Sequence, residues 1–586
     1  MERSCCGYDG KEGERPPWLR PRCPLALRGT PGRFLGETAK IRRCRSWYRT
    51  PPPWFSLIGM ALRTANIDRL DGGSVDVLIV GGGINGAVSA ASLASRGASV
   101  ALIDRGDFGG FTSQESSNLV WGGFKYLENY ELRLVRKLCM SRNRLIRAYP
   151  ANVAPIGFLA TLDKTAPFSP GLAALGSLGY WGIGNFRTPA PRYLSPQRIK
   201  ADEPIINTST TRGGIEYWDA ILKDNDARFV FGFVRSALDS GAIAANYVEL
   251  VSASRSGGRW HSVLRDVESG AEITCTSKVI INAAGPFIDG LNTGIGIRTK
   301  HRIVYSKGIH LVVPQLTPND RVLAFFDDTK RLFYVIPMGR RSVIGTTDTR
   351  VDEPQSAVTD EDRNFLLDQI NARLTMTQPL TPADVISERC GVRPLVVQTD
   401  GNDHKETDWT SLSRKHEIET DIDRSVVSIF GGKLTDCLNV GEEIAVEVGR
   451  LGVRLSTDRH DWYGEPDEAS RAEFFRQATL MHIDELRERP DVERLSNRLW
   501  RRYGRRAFTM LEAIREDPSM GADVMDSADY LRVELHHAAH TEMITRTEDF
   551  LRRRSKISLV VPESDWKNSP GLKEVEQILF GQPSAH

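Results

Sequence analysis

Val75-Asp76-Val77-Leu78-Ile79-Val80-Gly81-Gly82-Gly83-Ile84-Asn85-Gly86 decides the fold of this chain. An apolar, β-branched run enters a glycine-rich turn, and helix-compatible Ala87 to Ser95 follow, with Gly97 as a C-terminal stop. The run reads as a strand of a parallel sheet, buried on both faces. Gly81 permits the tight turn, Gly83 lets a pyrophosphate approach the backbone, and Gly86 lets the helix pack closely on the strand. The free N–H groups and positive end of a helix starting near Ile84 suit an anion. A second strand, Ser99-Val100-Ala101-Leu102-Ile103-Asp104, ends in a carboxylate. Asp104 stands about 20 residues beyond the glycines, where the ribose-binding acid of a Rossmann unit belongs. The spacing predicts a dinucleotide site; a turn serving only βαβ packing is the alternative.

Working outward, 586 residues exceed a single core and imply about two or three domains. The fold class read from the pattern is α/β. A basic, Pro-rich extension over residues 1–74, read as disordered, precedes a dinucleotide-binding domain interleaved with a β-rich substrate domain over 75–455. An Arg/Glu-rich helical domain follows over 456–586. The net charge of +2 conceals a split, because residues 1–60 carry +7 and the remainder −5. The basicity belongs to the extension, so the body offers no electrostatic case for nucleic acid. The extension lacks the apolar core of a secretory signal. Glu2, Asp9, Glu12 and Glu14 fit a transit peptide poorly, and an upstream start with the working chain beginning at Met60 is the favoured reading. Eight cysteines without CxxC or metal-ligand spacing read as free thiols in a reduced, cytosolic-side body.

Thr165 to Phe186 is uncharged and long enough to span a bilayer. Pro167, Pro170 and five glycines argue against a continuous helix there, so the expectation is a surface loop or a peripheral membrane patch carrying Leu172, Leu175, Leu178, Tyr180 and Trp181. Residues 128–148 look helical, and residues 302–350 β-rich. Asn282-Ala283-Ala284-Gly285-Pro286 again ends a strand at glycine. Ser425-Val426-Val427-Ser428-Ile429-Phe430-Gly431-Gly432-Lys433 repeats the strand–glycine–helix arrangement.

Further motifs appear in order: Ser116-Ser117, Gly122-Gly123-Phe124-Lys125-Tyr126-Leu127-Glu128, Asp226-Ala227-Arg228, Lys307-Gly308-Ile309-His310, Ile344-Gly345-Thr346-Thr347-Asp348, Gly391-Val392-Arg393-Pro394-Leu395 and Gly431-Gly432-Lys433-Leu434-Thr435. In that order and spacing the chain resembles the FAD-dependent glycerol-3-phosphate dehydrogenases, of the wider D-amino-acid-oxidase-like flavoprotein superfamily. The resemblance covers residues from about 75 to 560, including the helical tail around Tyr530 to Arg554.

The resemblance implies FAD, held by Gly81, Gly83, Ile84, Asn85, Gly86, Asp104, Ser113, Ser117, Val248, Gly285, Gly432, Lys433, Leu434 and Thr435. The Gly431-Gly432 turn would aim a helix N-terminus at the pyrimidine end of the flavin, stabilising the reduced form. It also implies a phosphate site at Lys125, Tyr126, Arg393, Arg414 and Lys433, and His310 as the base that takes the C2-hydroxyl proton. A histidine suits that role because its ordinary pKa lies near working pH. The implied reaction is oxidation of sn-glycerol 3-phosphate to dihydroxyacetone phosphate, with electrons passed to membrane quinone. The implied location is the inner face of the cytoplasmic membrane, with a homodimer left open. The sequence departs from the family at Lys125 (usually Arg), Asn118 (usually Lys), Trp121 (usually His) and Asp104 (usually Glu). The first three keep alive a flavoenzyme acting on another phosphorylated or carboxylated alcohol or an amine; a flavin-binding protein without turnover is a second alternative, against which the retained His310, Arg393 and Lys433 argue.

Overall fold

The computed structural model describes residues 59–128, 130–163, 166, 168–327, 331–399, 415–456, 462–486, 493–525 and 528–581. The opening motif forms strand Gly73–Val80 and helix Ile84–Ser95. That strand lies between the parallel strands Val100–Ile103 and Glu272–Asn282, with Val80 paired to both Ile103 and Asn282. Val426–Phe430 continues the parallel set beside Glu272–Asn282, and Ile243–Ala245 beside Val100–Ile103. An antiparallel edge strand, Glu417–Asp421, and the hairpin Val248–Ser256/Arg259–Asp266 complete eight strands. The parallel strands therefore finish at one edge, where ligands bind in open α/β sheets.

The helix Ile84–Ser95 is built largely from Gly, Ala and Ser, which lets it sit between Asp226–Asp239 and Cys437–Arg450. Ala87, Ala91, Val230, Val234, Val440 and Ile444 share one apolar core with Val77 and Ile79. Gly81 has φ +106°, which side-chain-bearing residues avoid, and a Cβ on Gly86 would overlap the Gly81 carbonyl oxygen. Both glycines are thus required by the protein itself.

A second, ten-stranded sheet is mixed and interleaved in sequence with the first. Its long strand His301–Pro314 pairs antiparallel with Ser387–Gln398 and Arg341–Gly345, so that His310 stands opposite both Arg389 and Gly345. From Glu468 onward the elements are helical, among them Leu495–Tyr503, Ala507–Glu516, Arg532–Thr541 and Pro570–Phe580.

Two expectations need correction. Residues 59–70, assigned above to a disordered extension, form a helix, and the first strand begins at Gly73. Buried Arg63 donates to the Asn246 carbonyl at 3.0 Å and pairs with Asp266 at 2.5 Å, while Asn66 donates to the Ala244 carbonyl. Local composition carried no trace of these distant partners. Residues 170–183, expected as a surface loop or a membrane-contacting patch and not as a continuous helix, form a helix capped by Ser169 with Pro170 in the first turn. Its glycines cost helix propensity, and tertiary packing offsets the cost, because Ala173, Ser177 and Tyr180 are buried. Tyr180 donates to Asp219 at 2.8 Å, and the opposite face exposes Leu172, Leu175 and Leu178. Among the described residues no helix is long and apolar enough to cross a membrane.

Candidate active site

At the carboxyl edge of the parallel strands lies a cavity of about 520 Å³. Gly81, Gly83, Ile84, Asn85 and Asp104 form one wall, and Val248, Gly285 and Gly432 lie on the others. A Cβ on Gly83 would meet only the Ser113 hydroxyl, at 3.1 Å, so the fold does not need glycine there as it does at Gly81 and Gly86. Gly86 faces the sheet rather than the cavity. The Ile84 N–H donates to Ser113 Oγ at 3.0 Å, and the Asn85 amide donates to the Gly431 carbonyl at 2.9 Å, tying the two glycine turns together. Asn85 Oδ1 remains buried without a partner.

Asp104 lines the cavity and also holds its own turn. Its Oδ2 accepts from the Gly82 N–H at 2.6 Å and its Oδ1 from the Gly106 N–H at 2.8 Å, so the carboxyl first secures the turn. Burial pushes its pKa up to about 6, against the opposing effect of both N–H groups.

A second cavity, of about 320 Å³, shares Ile84, Ser113 and Gly432 with the first. Ser117, Leu434 and Thr435 line it, together with Trp121, Lys125, Tyr126, His310, Arg393 and Lys433. Four cations therefore reach one small volume, because Arg331, which no motif flagged, lines it too. Arg414 lies outside the described residues. The other departure, Asn118, points away: its amide donates to the Asp224 carbonyl and its oxygen accepts from Arg389.

His310 is 2% exposed, and neither ring nitrogen has a hydrogen-bond partner. A buried polar group left in that state is costly, which marks the imidazole as held for something outside the fold. Two glycines make room for it and for Arg393. A Cβ on Gly345 would strike the His310 ring at 2.5 Å, and one on Gly308 would overlap the Arg393 guanidinium. Burial, then the charges of Arg389 and Arg393, hold the His310 pKa well below 6.5, so the ring is neutral at ordinary pH.

Arg393 donates to Thr346 Oγ1 at 2.6 Å and to the Thr347 carbonyl at 3.2 Å, with the Asp348 carboxylate 3.4 Å away. Arg331 donates to the Asp348 carbonyl at 2.7 Å. Lys433 donates to Tyr126 Oη at 2.5 Å and sits 4.0 Å from the Tyr126 ring centre and 5.7 Å from that of Trp121. Trp121 and Tyr126 pack ring against ring, 5.8 Å apart. Neutral oxygens and aromatic faces contribute to orienting Arg331, Arg393 and Lys433, and the Asp348 and Glu115 carboxylates line the same cavity.

Comparison with known proteins bears on this arrangement. Residues 76–410 match the family described as FAD dependent oxidoreductase, and residues 477–575 match the C-terminal domain of alpha-glycerophosphate oxidase. Glycerol-3-phosphate dehydrogenase 2 of Mycobacterium tuberculosis is 31% identical over 540 residues, covering 90% of this chain and 88% of the relative. This chain belongs to the FAD-dependent glycerol-3-phosphate dehydrogenase family. The aerobic glycerol-3-phosphate dehydrogenase of Bacillus subtilis is a further relative, 28% identical over 82% of this chain and 86% of its own length. The glycerol-3-phosphate dehydrogenase of Bacillus halodurans, solved with FAD, shares the fold at TM-score 0.66 and 24% identity, over 89% of this chain and 94% of its own.

The protein is thus an FAD-dependent oxidoreductase, and the residues present fit that cofactor. The two cavities lie side by side on shared lining residues, with the unneeded glycine at 83 and the unpartnered Asn85 Oδ1 on the nucleotide side. Gly81, Gly83, Asn85, Ser113 and Gly285 would hold the nucleotide end. Ser117, Gly432, Leu434 and Thr435 would hold the flavin end.

Proposed function

We propose that the enzyme oxidises sn-glycerol 3-phosphate to dihydroxyacetone phosphate, with His310 as the general base. The observation that carries this reading is the buried, neutral and unpartnered His310 in a cavity ringed by Lys125, Arg331, Arg393 and Lys433. A phosphate dianion calls for several charge-assisted donors, and the four cations supply them. Seated there, a short polyol phosphate would bring its C2 hydroxyl to an imidazole nitrogen, which accepts the hydroxyl proton as the C2 hydride departs. Bound FAD supplies the hydride acceptor. Tyr126 orients Lys433, and Trp121 closes the wall beside both, shielding the reacting atoms from water.

Electrons would then pass to a membrane quinone, with the exposed Leu172, Leu175 and Leu178 face as the peripheral contact on the cytoplasmic side. The test is anaerobic addition of glycerol 3-phosphate to the purified yellow enzyme. Loss of the oxidised-flavin absorbance is expected. Persistence of the yellow colour with this substrate, but bleaching by another phosphorylated or carboxylated alcohol or an amine, would transfer the assignment to that compound. Bleaching by none would leave a flavin-binding protein.

A further inference from the structure

We propose that His416 is a positioning residue that keeps the charge beneath the Gly431–Thr435 turn balanced, so that the following helix presents its positive end to the flavin unopposed. The proposal rests on reading that turn as part of the flavin site. His416 is 3% exposed where the chain enters strand Glu417–Asp421. Its Nδ1 lies 3.0 Å from Asp436 Oδ2, and its Nε2 lies 2.8 Å from Glu443 Oε2. Lys137 approaches the same two carboxylates, at 3.3 and 3.1 Å. The Ser141 hydroxyl and the Asn439 amide donate to Asp436 Oδ1 at 2.9 and 2.6 Å.

The imidazole is hydrogen-bonded to Glu443 through Nε2 and stands within ion-pair distance of Asp436 at Nδ1, and two carboxylates so close favour its charged form. Burial by itself would lower the His416 pKa. The two flanking carboxylates, Asp436 and Glu443, outweigh burial and raise it above 6.5. Two cations, His416 and Lys137, then balance two anions, Asp436 and Glu443. The charged groups nearby have partners of their own: Lys415 with Glu417, Arg144 with Glu442, and Lys433 with Tyr126. Without its imidazole proton the cluster carries one unbalanced negative charge.

That charge would sit directly under the site. Gly432 lines both cavities, and a Cβ there would stand 3.4 Å from His416 Cβ. Leu434 and Thr435 line the catalytic cavity, and Asp436 is the next residue, immediately before helix Cys437–Arg450. An unbalanced anion at a helix N-terminus cancels the positive end of the dipole. Reduced flavin is anionic, so the cancellation would weaken the site's preference for it. The sign follows from the raised pKa: the effect of the imidazolium is full below pH 6.5 and disappears as pH rises through the folded-state pKa.

The test is the midpoint potential of FAD bound to purified holoenzyme, measured from about pH 6 to 10 in the wild type, His416→Gln and Glu443→Gln. His416→Gln is expected to be more negative than wild type at the acid end, by about 30 mV for each tenfold loss of preference for reduced flavin. The two curves should converge above the His416 pKa, which a purely structural role would not produce. Glu443→Gln removes an anion and should shift the potential the opposite way at low pH. Its side chain is 47% exposed, so this variant keeps the proposal testable even if His416→Gln fails to fold. Curves for His416→Gln that coincide with or run parallel to wild type would overturn the proposal, as would a Glu443→Gln shift in the same direction. Glycerol 3-phosphate takes no part in these measurements. A wrong substrate assignment would show as wild-type flavin that this substrate fails to bleach, with the potentials unaffected.

Discussion

His310 and Arg393 occupy one cavity yet should respond differently to substitution. His310→Asn removes the base and should cut kcat by about 10²- to 10⁴-fold while leaving FAD content unchanged, as read by stopped-flow flavin reduction. Arg393→Ala should mainly raise KM, by about 10- to 150-fold, from losing a charge-assisted bond worth about 1.5–3 kcal/mol. An unchanged KM would remove Arg393 from the phosphate site. The pH profile follows from the lowered His310 pKa. The folded enzyme resists protonating this ring, so the acid limb of kcat/KM, which reports free enzyme, should fall below pH 6.5. A limb at or above 6.5 would argue for a different base. Lys125→Arg should maintain or raise kcat/KM on glycerol 3-phosphate by restoring a planar fork, unless Trp121 crowds it. At this scale the sequence revealed what motifs carry. His310, Arg393 and Lys433 sit in recognisable runs, whereas Arg331 is a lone arginine whose relevance depends on the strands that bring it round. The turn-holding role of Asp104 was hidden because its partners, the Gly82 and Gly106 N–H groups, are set by loop geometry that spacing does not encode.

Among the elements, the opening strand and helix were legible because two glycines are demanded by packing and a third by the cavity. Replacing Gly83 with Leu should therefore give a chain that folds but loses FAD, whereas Gly86→Leu should fail earlier, in folding. Flavin content against circular dichroism separates the two. The helix Gly59–Leu70 was not legible, because its reason for existing lies in Asn246 and Asp266, far along the chain. Removing residues 1–58 should leave FAD content and melting temperature unchanged. Extending the deletion through residue 72 should destabilise the protein, since breaking a buried pair such as Arg63–Asp266 costs about 3–5 kcal/mol. Equal melting temperatures for the two deletions would show the helix to be dispensable. Helix Pro170–Ile183 was misread for a related reason: glycine content argues about propensity, whereas Tyr180 and Asp219 settle the matter by packing.

Across the whole molecule, the C-terminal helices hold the first domain's loops in place. Arg553 and Arg554 both reach the buried Asp107 carboxylate at 2.7 Å, and Arg552 meets Glu115 at 2.9 Å. Arg501 and Arg502 converge on Asp224, and Arg228 pairs with Glu542. Residues 105–115 lie between Asp104 and the Ser116-Ser117 turn, and two of them, Thr112 and Ser113, line both cavities. Arg554→Met should therefore lower FAD affinity as well as stability, by ultrafiltration of released flavin, despite lying outside both cavities. Tight FAD binding by that variant would confine the arginines to docking alone. The same pairing sets an order of events during synthesis. Asp107 emerges from the ribosome well before its arginine partners, which lie 446 and 447 residues further along the chain. Until Arg554 has been translated, the loop beside the cofactor cavity carries a carboxylate without its counter-charges. A nascent chain of this protein should accordingly acquire its flavin only after Arg554 has been translated, and a ribosome stalled before Arg552 should hold an unliganded chain.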